Sequence, residues 1–160
     1  MSVDRAAGTI REEANPAVQR STKLYIATAV ISLVGLADAI YLAIQHITGE
    51  SVRCTIVSGC SEVLSSPYAV MFGTPLAEIG AAAYFSVFSL ATLAAFGYRI
   101  AGHLLLALVL VMCGTSLWLI YLQAFVIRHF CQYCLLSAAV TFMLTILMFL
   151  TKRTRVNSSQ

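Results

Sequence analysis

Four runs, Leu24–Ile47, Leu76–Tyr98, His103–Ile127 and Cys131–Leu150, hold two acidic residues between them, Asp38 and Glu78, and no lysine or arginine. Each reaches the roughly 20 apolar residues that cross a hydrocarbon core. In lipid, backbone N–H and C=O groups find no water, so segments of this length must close their hydrogen bonds internally, as helices. The expected fold is therefore an all-α membrane protein, a four-transmembrane-helix bundle with a long outward loop between the first and second helices. The composition agrees: 59% of residues are hydrophobic and 11% charged, against about 25% charged in soluble domains. The first run is too long for the apolar region of a signal peptide and follows a polar segment of mixed charge, so it is expected to stay as the first helix.

The chain divides into a tail over 1–22, a membrane domain over 23–151 and a second tail over 152–160. The first tail has no apolar periodicity and reads as disordered. Orientation follows from the basic residues. Arg5, Arg11, Arg20, Lys23, Arg99, Lys152, Arg153 and Arg155 fall on one side, and only Arg53 and Arg128 on the other. The eight mark the cytoplasmic side, which puts both tails there and the long loop on the periplasmic or extracytoplasmic face of the inner membrane. The net charge of +3 reflects this topology. No basic cluster is interleaved with aromatics as nucleic-acid binding would require.

The loop, Thr48 to Thr74, is 27 residues of mostly polar chain, long for a helix connection and so a candidate functional segment. Ser61 to Ser66 can form a short helix ended by Pro67. Tyr68, Val70, Met71 and Phe72 are apolar enough to lie on the bilayer or cover a cavity. Thr74 is expected as the N-cap and Pro75 as the first residue of the second membrane helix, and Arg99–Gly102 as the turn into the third. Asp38, inside the first run, costs roughly 2.5–3.5 kcal/mol on insertion scales. It must face protein or water, either tying helices together or serving a site.

Four of the five cysteines form two close pairs, Cys54/Cys60 in the loop and Cys131/Cys134 at the start of the fourth helix. The topology puts both on the oxidising side. Cysteines three apart at a helix start share one face, where the positive end of the helix dipole favours the thiolate. Three arrangements suit this set. Two structural disulfides are one, although a short ring adds little stability. A four-cysteine metal site is another, although five residues between the first pair is loose for zinc. The third is a relay of thiol–disulfide exchange. Haem attachment is excluded, because Leu135 stands where histidine is required. Cys113, alone in mid-helix, is expected to pack as a small hydrophobe.

The order of Cys54-x5-Cys60, Val63-Leu64-Ser65-Ser66-Pro67, Phe72-Gly73-Thr74-Pro75-Leu76, Gly80, Tyr84 and Cys131-Gln132-Tyr133-Cys134 resembles the bacterial vitamin K epoxide reductase family over about residues 24 to 150. The resemblance implies a four-helix bundle around a quinone, with the loop over its mouth. It also implies a membrane thiol:quinone oxidoreductase that reoxidises a DsbA- or thioredoxin-like protein. On that pattern Cys54 exchanges with the partner, Cys60 bonds transiently to Cys131, and Cys134 lies nearest the quinone, ubiquinone or menaquinone. Ser66 and Tyr84 take quinone-binding positions. The chain ends about ten residues after its fourth helix, so the partner is expected to be a separate protein. Two positions depart from the animal enzymes, Leu76 for an asparagine and Ala138 for a tyrosine, and both favour a simple quinone over an epoxide. The alternative is a non-catalytic membrane protein with structural disulfides or a cysteine metal site.

Overall fold

The computed structural model describes residues 16–48, 60–71 and 73–157. Among the described residues there are five α-helices: α1 (Pro16–Thr48), α2 (Cys60–Leu64), α3 (Leu76–Ala95), α4 (Arg99–Tyr121) and α5 (Gln132–Asn157). Within them, Gln19–Thr48, Leu76–Ala95, Arg99–Ile127 and Gln132–Thr154 are long and apolar enough to cross a membrane. The chain has the composition and architecture of an integral membrane protein, a four-helix bundle.

Two ends differ from the sequence reading. Residues 16–22 are already part of α1 where a disordered tail is expected, and α5 continues to Asn157 beyond Leu150. Hydropathy marks where the hydrocarbon ends, whereas a helix can continue into water.

The turn between α3 and α4 also lies earlier than expected. It is built on Phe96, Gly97 and Tyr98, and Arg99–Gly102 is already helical. Gly97 N–H donates to Ala94 O at 3.1 Å and Tyr98 N–H to Leu93 O at 3.3 Å. This paired closure satisfies the last carbonyls of α3 and requires a left-handed residue, which Gly97 supplies at φ +96°.

Thr74 does not cap α3. Val70–Met71 and Thr74–Pro75 form a two-stranded antiparallel ladder (β1 and β2), pairing Met71 with Thr74 around Gly73 at φ +80°. Pro75 is the residue that precedes the helix, with no side-chain cap. The ladder and a 3-10 turn at Pro67–Ala69 carry the chain across one end of the bundle.

The four long helices form a ring in which α1 packs on α3 and α5, and α4 packs on the same two. The main core holds Tyr84, Val87, Leu105, Val109 and Leu144, all essentially inaccessible. Outward faces remain apolar, with Ile44, Phe85, Val111, Trp118 and Ile146 each more than half exposed, a surface suited to lipid. Close approach of α1 to α3 depends on Gly35, where an added Cβ would overlap the Tyr84 ring. At Gly80, within the small-residue stretch of α3, an added Cβ meets only Ala39 Cβ at 3.8 Å, so the tight contact lies at Gly35 instead.

Candidate functional site

A second, smaller core occupies the loop end of the bundle. Leu42, Cys60, Val63 and Cys131 are buried together there, with Leu64, Ala77, Ile127, Tyr133 and Cys134 packed around them. The start of α2 thus brings Cys60 into the same apolar cluster as the start of α5. Cys60 is disulfide-bonded, whereas Cys113, Cys131 and Cys134 are free thiols. Cys54 lies outside the described residues, as does Phe72. A sulfur held in a disulfide offers no thiolate, so Cys60 in this state cannot serve a four-thiolate metal site.

Cys131 takes the N-cap position of α5. Its carbonyl accepts the Leu135 N–H at 3.0 Å, and its sulfur accepts from the backbone N–H groups of Tyr133 and Cys134 and from the Cys134 thiol. These are the bonds a capping oxygen would make to the orphan donors of the first turn. They favour the thiolate. The Cys131 pKa falls to about 7, the Cys134 hydrogen bond being the largest cause and burial opposing it.

The preceding turn is made for this arrangement. After α4 the chain widens into a π-helical turn, Leu122–Ile127, ended by Arg128 in a left-handed conformation at φ 57°. Such turns insert a residue into the helical register and re-aim side chains. Gln123 is turned into the protein, 2% exposed, and its Oε1 accepts the Cys131 N–H at 3.0 Å. No motif marks Gln123, but one amide in a long apolar run is a detectable signal, because a polar group in lipid must find a partner.

Beside the cysteines lies a cavity of about 340 Å³. Each long helix contributes a stripe at helical spacing: Asp38, Leu42 and His46 from α1, Leu76 and Gly80 from α3, Leu108, Met112 and Thr115 from α4, and Cys134, Ala138 and Thr141 from α5. Val63, Leu64, Ser66, Tyr68 and Ala69 cover its end. Cys134 lines it, whereas Cys131 sits behind the wall.

Ser66 and Tyr84 both border this cavity, and both have structural bonds. Ser66 Oγ donates to Val63 O at 2.7 Å, closing the turn after α2. The Tyr84 hydroxyl donates to Ser137 O at 2.9 Å and lies 2.8 Å and 3.0 Å from the hydroxyls of Ser137 and Thr141. It ties α3 to α5. Asp38 is 7% exposed, and its Oδ2 is buried with no hydrogen-bond partner among the described residues. Cys113 is half-buried on α4 and does not line the cavity.

A sequence model of the vitamin K epoxide reductase family matches residues 26–149. Thiol-disulfide oxidoreductase LTO1 of Arabidopsis thaliana is 32% identical over 118 residues, covering 68% of this chain and 31% of that protein. The chain therefore spans about a third of the length of this curated relative.

Proposed function

The chain belongs to the vitamin K epoxide reductase family, and from that premise we propose that it is a thiol:quinone oxidoreductase supporting disulfide bond formation. Its electrons come from a DsbA- or thioredoxin-like protein and pass through two cysteine pairs to ubiquinone or menaquinone. The observation that carries this reading is the position of the three described cysteines: Cys60 packs with Cys131, and Cys134, one helical turn on, lines the cavity.

The cavity fits a quinone ring. Its size lies in the usual range for small-molecule sites, about 300–1,000 Å³, which are mostly apolar with a few placed polar groups. Here Leu76, Leu108, Met112 and Ala138 supply apolar wall and Asp38 an oxygen without a partner among the described residues. Leu76 and Ala138 offer no hydrogen-bond donor, which favours a plain quinone over an epoxide. Bound there, a quinone supplies a two-electron, two-proton acceptor.

The protein's own steps are exchanges in which one S–S bond forms as another breaks. A partner thiolate attacks Cys54 of the loop disulfide and releases Cys60 as a thiolate. The partner's second thiolate then attacks the partner sulfur of that mixed disulfide and expels Cys54 as a thiolate, leaving the partner oxidised and Cys54 and Cys60 reduced. Cys60 attacks Cys131 of an oxidised Cys131–Cys134 pair, releasing Cys134, and Cys54 resolves the Cys60–Cys131 bond. The loop disulfide is restored and Cys131 and Cys134 are left as thiols. The described state, with Cys60 in a disulfide and Cys131 and Cys134 free, corresponds to the end of that sequence. Hydrogen bonds at the α5 N-terminus hold Cys131 ready as a thiolate or leaving group.

A quinone sink suits the thermodynamics. A DsbA-like oxidant sits near about −120 mV, so its reoxidation needs an acceptor of higher potential. On this reading the protein resides in the inner membrane with both tails cytoplasmic and its cysteine pairs on the periplasmic or extracytoplasmic side. The test is quinone reduction by the purified protein with a reduced DsbA-like protein as donor. One quinone reduced per disulfide formed is expected. Donor oxidation without quinone reduction would reject the proposal.

A further inference from the structure

Asp38 has no place in the exchange sequence, yet it is the polar group at this cavity whose state most needs an explanation. A carboxyl inside a membrane helix costs roughly 2.5–3.5 kcal/mol on insertion scales, and a buried polar atom left unpaired adds about 1–3 kcal/mol. A carboxyl that merely tied helices together would spend both oxygens on partners. Oδ2 has none among the described residues. The nearby hydroxyl best suited to answer it, Tyr84, is committed to Ser137 and Thr141 on α5. Asp38 is more than nine-tenths buried and faces the cavity that Cys134 also lines. It lies within electrostatic range of both Cys131 and Cys134.

We propose that Asp38 hydrogen-bonds a carbonyl oxygen of the quinone acceptor and carries a proton to it. This inference rests on the quinone reading above. The balance is closed: Cys131 and Cys134 lose two electrons and two protons as their S–S bond forms, and the acceptor gains both. Asp38 passes one of those protons across the cavity and regains one from the dithiol, so it is unchanged at the end. The carboxyl suits this task because it can donate and accept at one oxygen without a change of rotamer. No other carboxyl lines the cavity among the described residues.

The test compares the full-length wild type with Asp38→Asn, which keeps size and hydrogen bonding but cannot carry a proton. A short-chain ubiquinone and a menaquinone analogue serve as probes. Two readouts are taken: an infrared difference spectrum on quinone addition, and KM and kcat for quinone with a small dithiol donor. A carboxyl C=O band that shifts with quinone in the wild type and is missing from Asp38→Asn is expected. In that variant kcat should fall by about 100-fold, the scale of lost general acid–base help, while KM changes less than about threefold. Asp38→Glu should recover part of kcat and move the band. If Asp38→Asn does not fold, Asp38→Glu alone decides by whether the quinone-sensitive band changes position. A wild type that reduces quinone with no carboxyl band disturbed, or an Asp38→Asn kcat equal to wild type, overturns the role of Asp38 alone. A wild type that reduces no quinone rejects the underlying reading, and the inference falls with it.

Discussion

The side-chain carbonyl of Gln123 lies 3.0 Å from the backbone nitrogen of Cys131 and accepts its N–H. The π-helical turn before the cysteine pair is thereby joined to the first residue of that pair. Replacing Gln123 by methionine keeps the volume and removes the acceptor, leaving a buried donor unsatisfied. The expected loss is about 1–3 kcal/mol, read as a lower thermal midpoint in detergent. Gln123→Glu, which retains an acceptor at the same reach, should recover much of it. An unchanged midpoint in Gln123→Met would mean that the bond contributes nothing to holding the turn.

Protonation at Cys131 gives a second test. Its pKa is lowered to about 7, chiefly by the Cys134 thiol. A lowered pKa means the thiolate persists to lower pH and is lost only as pH falls through about 7, whereas an ordinary thiol loses it near about 8.5. Titration of thiolate absorbance in reduced Cys113→Ala protein should show one group ionising near neutrality. Adding Cys134→Ala removes the largest cause and leaves burial opposing the charge, so the transition should move to higher pH. A transition that stays put would assign the neutral-range thiolate elsewhere.

These two features differ in how far they can be read from the chain. The number and position of the membrane helices are legible, because lipid tolerates only uncharged self-bonded segments and such runs are conspicuous. So is the Cys131/Cys134 pair at a helix start, since spacing and the polar break at Arg128–Phe130 are local. The ends of α1 and α5 are not, because residues 16–22 and 152–157 are helical in polar sequence. The role expected of Thr74 fails for a related reason: pairing of Met71 with Thr74 is a tertiary choice that overrides a good local N-cap signal. Gly35 has no signature among its apolar neighbours, and only the ring of Tyr84, distant in sequence, makes it special.

That last contrast predicts opposite outcomes at two glycines. Gly35→Ala drives a methyl into a Tyr84 ring held by its hydroxyl to α5, so a loss of about 1–3 kcal/mol is expected, as for other overpacked cores. Gly80→Ala meets only ordinary contact with Ala39 and should be neutral or stabilising by up to about 1 kcal/mol, from helix propensity. Thermal midpoints of the two variants in the same detergent decide it. Equal destabilisation would place the close helix approach at Gly80 as well.

The central claim is that electrons enter at the loop pair and leave at Cys134, and one comparison of quinone reduction tests it most directly. Cys54→Ala and Cys134→Ala are each assayed with a reduced DsbA-like protein and with a small dithiol that can reach Cys131 without the loop. Cys54→Ala should lose activity with the protein donor and keep it with the small one, while Cys134→Ala should lose both. Turnover in Cys134→Ala with either donor, or wild-type turnover of the protein donor by Cys54→Ala, would contradict the account.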